Sequence, residues 1–193
     1  MVSQRGVSLI EMMIALAIVA LVMFVGVPAF SGFLQNTKIR NAAETTLSGI
    51  TLAHAEALRR NQTVRFQLVS TLTSACALSA TGMNWVVSLT DPTSKCDVAP
   101  SEATAPQTIQ KKSSSEGTQQ ITVATAGGSL ISFNGLGRAT GASITQLDFS
   151  NSTGTCETVG GNMRCLRIMV SPGGQVKLCD PKVTSATDPR KCQ

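Results

Sequence analysis

Sixteen consecutive residues, Met12 to Val27, are apolar or glycine, and nothing else in the 193-residue chain constrains its fate as strongly. Coiled as an α-helix, this run is ~24 Å long, short of the ~30 Å hydrocarbon core of a bilayer. Extending it back to Val7 gives twenty-one positions, enough to span, but the extension takes in Ser8 and Glu11. The run argues against a soluble cytoplasmic chain. Its carboxylate needs its own explanation, because an acid at the centre of a membrane helix costs about 2.5–3.5 kcal/mol on insertion scales.

Two ordinary readings fall short. A secretory signal peptide needs a basic start, an apolar stretch and a small-x-small cleavage site. Arg5 fits the start, but Pro28-Ala29-Phe30-Ser31-Gly32-Phe33 follows the run and makes a mediocre site. A plain anchor helix leaves Glu11 unexplained.

The order Gly6-Val7-Ser8-Leu9-Ile10-Glu11 resembles the cleavage and methylation motif of type IV prepilins and type II secretion pseudopilins. That resemblance implies a leader, residues 1–6, removed after Gly6 by a prepilin peptidase on the cytoplasmic side, with methylation of the new N-terminus at Val7. It also makes Glu11 an assembly residue, meeting the α-amino group of Val7 on its own or a neighbouring subunit. A buried charge is tolerated when an opposite charge meets it. The family usually has Phe at the first mature position; Val7 departs from that, which bears on methylation more than on cleavage. Pro28 lacks an N–H and clashes with the preceding turn, so a kink or unwinding is expected near residues 24–28. Pilins carry a Pro in this region; a helix stop at the membrane edge is the alternative.

Beyond Pro28 the residues Phe30, Phe33, Leu34, Ala43, Leu47, Ile50, Ala53, Ala57 and Leu58 recur at three- and four-residue intervals up to Arg60. This predicts one long amphipathic helix. Asn61-Gln62 ends it, and Val64–Leu68 switches to period two, a strand. Further short strands are expected at Val86–Leu89, Ile121–Ala124, Leu130–Phe133, Ile144–Phe149, Cys165–Val170 and Val176–Cys179. Ser171-Pro172-Gly173-Gly174 is a hairpin signal, and residues 90–118 read as a long mobile connection. A spine helix covering one face of an antiparallel sheet is the economical architecture.

Three stretches, Leu52–Asn61, Ser132–Arg138 and Leu166–Pro181, are similar to segments of the GspH/FimT pseudopilins. The resemblance implies an α+β type IV pilin fold: leader 1–6, transmembrane and assembly helix 7–30, amphipathic continuation 31–61 and a periplasmic β-rich head 62–193. It implies other pilins, a prepilin peptidase and the bacterial inner membrane as partners, with the chain in a pilus or pseudopilus. A type IV pilus and a type II secretion machine both remain open.

All six cysteines follow the apolar run, and an even number restricted to the head suits an oxidising periplasm. Of fifteen pairings, the nearest-neighbour set is expected: Cys76–Cys96, Cys156–Cys165 across Gly160-Gly161, and Cys179–Cys192, which would tie down the tail.

The sequence offers little chemistry. His54, the sole histidine, forms H-x-E with Glu56, but no P-C-x-x-C follows. Gly135–Gly141 misses the dinucleotide-loop spacing and lacks a strand–helix crossover. No catalytic pair, metal cluster or cofactor site can be assembled, so a non-enzyme without cofactor or metal is expected. Aromatics make up 4%, too few for a base-stacking platform. The net charge of +5 permits an anionic partner without demanding one. From Asn134 onward the cations are Arg138, Arg164, Arg167, Lys177, Lys182, Arg190 and Lys191. Some FimT proteins bind DNA through a Gly-Arg-x-Arg stretch near the C-terminus; Gly174-Gln175-Val176-Lys177 resembles it with Gln and Lys in place of both arginines. A solvated strand face is the alternative to DNA binding, because Lys meets phosphate only as a point charge.

Overall fold

The computed structural model describes residues 6, 8–117, 119–141 and 143–193, with the backbone alone for 25–29. Val7 and residues 1–5 of the expected leader lie outside the described residues. The chain divides into two compact units between Gln35 and Asn36. One helix, α1 (Leu9–Arg60), is continuous across that division. Unwinding near residues 24–28 does not occur: the backbone stays helical through Pro28. A proline removes one rung of the ladder, and the intact turns on either side hold the remainder.

In the first unit the apolar side chains of α1 face outward; Leu9, Leu16, Leu21 and Phe24 are among the exposed ones. The second unit buries its part of the helix. Ile39, Ala42, Ala43, Ile50, Ala53 and Ala57 are 0–1% exposed and follow the helical repeat. The buried stripe therefore starts at Ile39. Phe30, Phe33 and Leu34, which the periodicity includes, are exposed, as is Leu58. The helix ends in the left-handed region at Asn61 (φ 50°). There Gln62 N–H donates to the Ala57 carbonyl and Asn61 N–H to that of Leu58, satisfying carbonyls that the helix leaves open.

Among the described residues the strands are β1 (Val64–Val69), β2 (Asn84–Ser88), β3 (Thr108–Lys112), β4 (Ile121–Ala126), β5 (Leu130–Phe133), β6 (Ala139–Thr140), β7 (Gln146–Asn151), β8 (Leu166–Val170) and β9 (Val176–Cys179). They form two antiparallel sheets, in the orders β3-β2-β1-β5-β6 and β4-β7-β8-β9, rather than the single sheet the sequence predicts. β3 falls inside residues 90–118, so the expected long mobile connection holds a strand of the first sheet. Its sequence, Thr-Ile-Gln-Lys-Lys, carries almost no apolar signal because it is a charged edge strand held by main-chain bonds to β2.

The core joins α1 to both sheets. Phe66, Phe133 and Phe149 are fully buried among Ile39, Ile50 and Ile131. Gly49 opens the space: a Cβ there would stand 3.0 Å from the rings of Phe66 and Trp85. A smaller cluster packs Val69 and Val86 with Cys76 and Cys96. The three bridges are Cys76–Cys96, Cys156–Cys165 and Cys179–Cys192, and no cysteine is free.

Candidate functional site

Glu11 lies in the first turn of α1, where the helix dipole favours an acid. It is exposed among exposed apolar side chains such as Leu9, Met13 and Ile14. From Leu9 to Thr37 it is the sole charged residue, and none of the ion pairs among the described residues includes it. Gly6 is exposed, and a Cβ there would meet nothing within 4 Å. The fold of the described residues therefore has no steric need for glycine at that position. Among the described residues no helix is long and apolar enough to cross a membrane.

The three stretches that carry the GspH/FimT resemblance converge at one place. His54 and Leu58 come from the last turns of α1, Asn134–Arg138 from the turn between β5 and β6, and Gly174 from the turn between β8 and β9. Asn134 organises its own turn: its Oδ1 accepts the N–H groups of Leu136 and Arg138, each at 3.0 Å, and its N–H donates to the Arg138 carbonyl. The turn then comes so close to its neighbours that side chains are excluded. At Gly137 (φ +76°) a Cβ would lie 2.7 Å from His54 Nε2, and at Gly174 (φ +88°) 1.9 Å from the Gly137 carbonyl oxygen. His54 stands edge-on to Phe133, 5.2 Å between ring centres. Gly135–Gly137 thus forms a packing junction between the helix and the two sheets.

A second network clasps the end of the helix. Glu56 accepts from Arg59 and Arg60, and Arg60 reaches on to Glu102 at 2.8 Å. Hydrogen bonding from Arg59, then from Arg60, holds the Glu56 carboxyl below the ordinary range.

Of the cations singled out in the C-terminal region, three arginines are held by carboxylates: Arg164 by Asp180 at 2.7 Å, Arg167 by Asp148 at 2.6 Å and Arg190 by Asp188 at 2.7 Å. The Arg190 guanidinium, and then its backbone N–H, hold the Asp188 carboxyl at about 2. Lys177 Nζ donates to the Lys191 carbonyl at 3.0 Å, and Lys182 Nζ to that of Glu157 at 3.3 Å. Arg138 is exposed at its turn. Arg164, Arg167, Lys177 and Lys182 thereby tie strands, turns and tail to one another, whereas the Arg190–Asp188 pair is local to the tail. Asp180, 3% exposed, also accepts the Lys182 N–H.

Sequence reasoning missed two contacts. Asn36 Oδ1 accepts the Arg164 N–H at 2.8 Å across 128 residues of chain. Lys111 Nζ donates to the carbonyls of Cys96, Asp97 and Val98 at 2.8–3.1 Å. Neither leaves a local signal, because an amide or lysine looks the same whether solvated or bound. Among the described residues no group of three His, Cys, Asp or Glu side chains could hold a metal ion.

No curated protein matches the chain. It is similar to the type IV minor pilin FimU of Pseudomonas aeruginosa strain PAO1 in two crystal forms. One is 16% identical, with 79% of this chain and 99% of that one covered and a TM-score of 0.47. The other is 14% identical, with 76% and 99% covered and a TM-score of 0.43. A prokaryotic N-terminal methylation motif matches residues 1–27. The profile described as type II transport protein GspH matches residues 42–174, a span that takes in the helix end, every strand but β9 and the packing junction, and the chain therefore belongs to the GspH family of pilin-like proteins.

Proposed function

We propose that this chain is a minor pilin or pseudopilin subunit, cut after Gly6 and carried by its apolar helix into a filament rooted in the inner membrane. The observation that carries the reading is Glu11, the one charged side chain from Leu9 to Thr37, standing among exposed apolar residues without an ion-pair partner in the described part of its own chain. An acid left alone in hydrocarbon is disfavoured by about 2.5–3.5 kcal/mol. The α-amino group created at Val7 of a neighbouring subunit supplies the missing cation, so stacking of subunits offsets that cost. Gly6, for which the described fold has no steric need, is the residue a processing enzyme would select. Residues 7–30 then form the membrane and assembly helix, with Pro28 inside it, and residues 62–193 the head. Three disulfides and no free thiol suit a periplasmic location for that head. The role is structural, without catalysis.

A second reading, a pseudopilin of a type II secretion machine, is favoured by the family's description as a type II transport protein. The decisive experiment expresses Gly6→Ala and Glu11→Ala chains beside the wild type in cells that make the filament. Gly6→Ala is expected to keep its leader by mass spectrometry, and Glu11→Ala to be cleaved but absent from sheared filaments. Normal incorporation of Glu11→Ala would refute the proposal.

A further inference from the structure

Of the eight arginines among the described residues, six are in salt bridges: Arg40, Arg59, Arg60, Arg164, Arg167 and Arg190. The other two, Arg65 and Arg138, pair with no described carboxylate, and they share one face of the first sheet. Arg65 on β1 stands opposite Ser132 on β5, and Ser132 stands opposite Thr140 on β6. Residues opposed in an antiparallel ladder point to the same side. Arg138 is two residues before Thr140 and so belongs to that side as well. Its N–H and carbonyl still bond Asn134, which continues the ladder. The residues that alternate with these, Val64, Phe66, Ile131 and Phe133, are buried in the core with α1. The arginines therefore occupy the outer face. At ~4.8 Å between strands and ~3.4 Å per residue, their Cα atoms lie about 12 Å apart with Ser132 between them, a span that two arginine side chains can close.

Arg65 also has an unmet need. Its Nε–H is enclosed without an acceptor, while its terminal nitrogens are open. A donor enclosed without an acceptor is disfavoured and gains from any oxygen that reaches it. Neither Thr63–Gln67 nor Leu130–Thr140 contains an acid. The charge of Asp91 is felt at Arg65, but its Oδ1 accepts the N–H and hydroxyl of Thr93, at 2.9 and 2.7 Å.

The number of donors selects the ligand. One guanidinium fork occupies both oxygens of a carboxylate. Two forks call for an anion with more oxygens and more charge. A terminal phosphate carries three free oxygens and a charge of about −1.5 to −2 at pH 7, which two arginines neutralise. A phosphodiester keeps two free oxygens and one charge and matches less well. We propose that Arg65, Ser132 and Arg138 form a site for a phosphomonoester group, carried by a soluble molecule or by a lipid headgroup. The site needs only the folded head and is independent of cleavage and filament entry.

The test follows the Cδ–H resonances of the arginines by NMR in the full-length chain, in uncharged detergent, as glycerol 3-phosphate is added. The resonances of Arg65 and Arg138, assigned from their lysine variants, are expected to shift together with one affinity while those of the six paired arginines stay. Arg65→Gln should weaken binding read at Arg138 about tenfold, and Arg138→Gln should do the same at Arg65. Dimethyl phosphate, a diester, should bind about tenfold more weakly than the monoester. Affinity should rise about fourfold from about pH 5.5 to about pH 7, as the monoester loses its second proton near pH 6. The arginines do not titrate there, and Asp91, held below the ordinary carboxylate range by the Thr93 N–H and then its hydroxyl, stays ionised. Circular dichroism and intact disulfides establish that each variant folds. Micelles doped with phosphatidic acid form a second arm: the same two shifts there assign a lipid-borne phosphate, and shifts with glycerol 3-phosphate alone assign a soluble one. The proposal is overturned if the two resonances do not shift together, or if removing one arginine leaves the affinity at the other unchanged. It is also overturned if the diester binds as well as the monoester, or if affinity does not rise with pH.

Discussion

Gly174→Ala tests the packing junction most directly, because the structure supplies its own controls. At Gly174 the backbone has φ +88°, and an added Cβ would lie 1.9 Å from the Gly137 carbonyl oxygen. A left-handed conformation costs an L-residue about 1–2 kcal/mol, and forcing two turns apart costs about 1–3 kcal/mol as overpacking. Restricting the unfolded chain returns about 0.4–1 kcal/mol. The net expectation is about 1–4.5 kcal/mol of destabilisation. For a chain of this size each kcal/mol moves the midpoint by about 2–4 °C, so the thermal transition should drop by roughly 2–18 °C. Gly160 has φ +86° with nothing within 4 Å of the added atom, so Gly160→Ala isolates the backbone contribution, a net of about 1 kcal/mol or less. Gly173 has no left-handed φ, and its nearest neighbour would be Ser171 Oγ at 3.7 Å, so Gly173→Ala should be neutral or slightly stabilising. Thermal unfolding of the detergent-solubilised full chain, followed by circular dichroism with disulfides intact, gives the order. A Gly174→Ala midpoint equal to that of Gly173→Ala would refute the close approach, and with it the junction.

Removing the last bridge with Cys179→Ser/Cys192→Ser opens a loop of sequence separation 13, which should cost about 3 kcal/mol. The same variant should become sensitive to trypsin at Arg190 and Lys191, and unchanged digestion would show that the tail is held without the bridge. Gly49→Ala places a methyl 3.0 Å from Phe66 and Trp85; about 1–3 kcal/mol of destabilisation is expected, with a shift in the emission of Trp85, the sole tryptophan. The Asp188 carboxyl, held at about 2 by Arg190, has a depressed folded value. Its contribution to stability is therefore present above the unfolded value near 3.8 and is lost as pH falls through about 2. A carboxyl titration followed by NMR should show that midpoint, and Arg190→Ala should return it toward 3.8.

Much of the architecture is legible because its cause is local. The apolar run and the alternation in Val64–Leu68 and Leu130–Phe133 depend on residues a few positions apart, and so does the helical repeat, although its buried stripe begins later than the repeat does. The Asn61 helix end reads for the same reason: it needs only its own φ and the carbonyls of the preceding turn. β3 does not read from the sequence, since Lys111 and Lys112 belong to an edge whose stability comes from β2 and from carbonyls at Cys96–Val98. The division into two sheets is equally silent, because β4 and β5 are neighbours in sequence yet belong to different sheets.

By itself, then, the sequence determined a long helix with an apolar, singly charged start, followed by a cysteine-bearing β-rich region. These properties follow from hydrophobic periodicity and residue chemistry along the chain. Tertiary structure alone decided that Gly137 meets Gly174 beneath His54, that Asn36 accepts the Arg164 N–H from 128 residues away, and that the C-terminal arginines face their own carboxylates. Those contacts depend on separation in space, where two turns can come within van der Waals distance whatever length of chain lies between them.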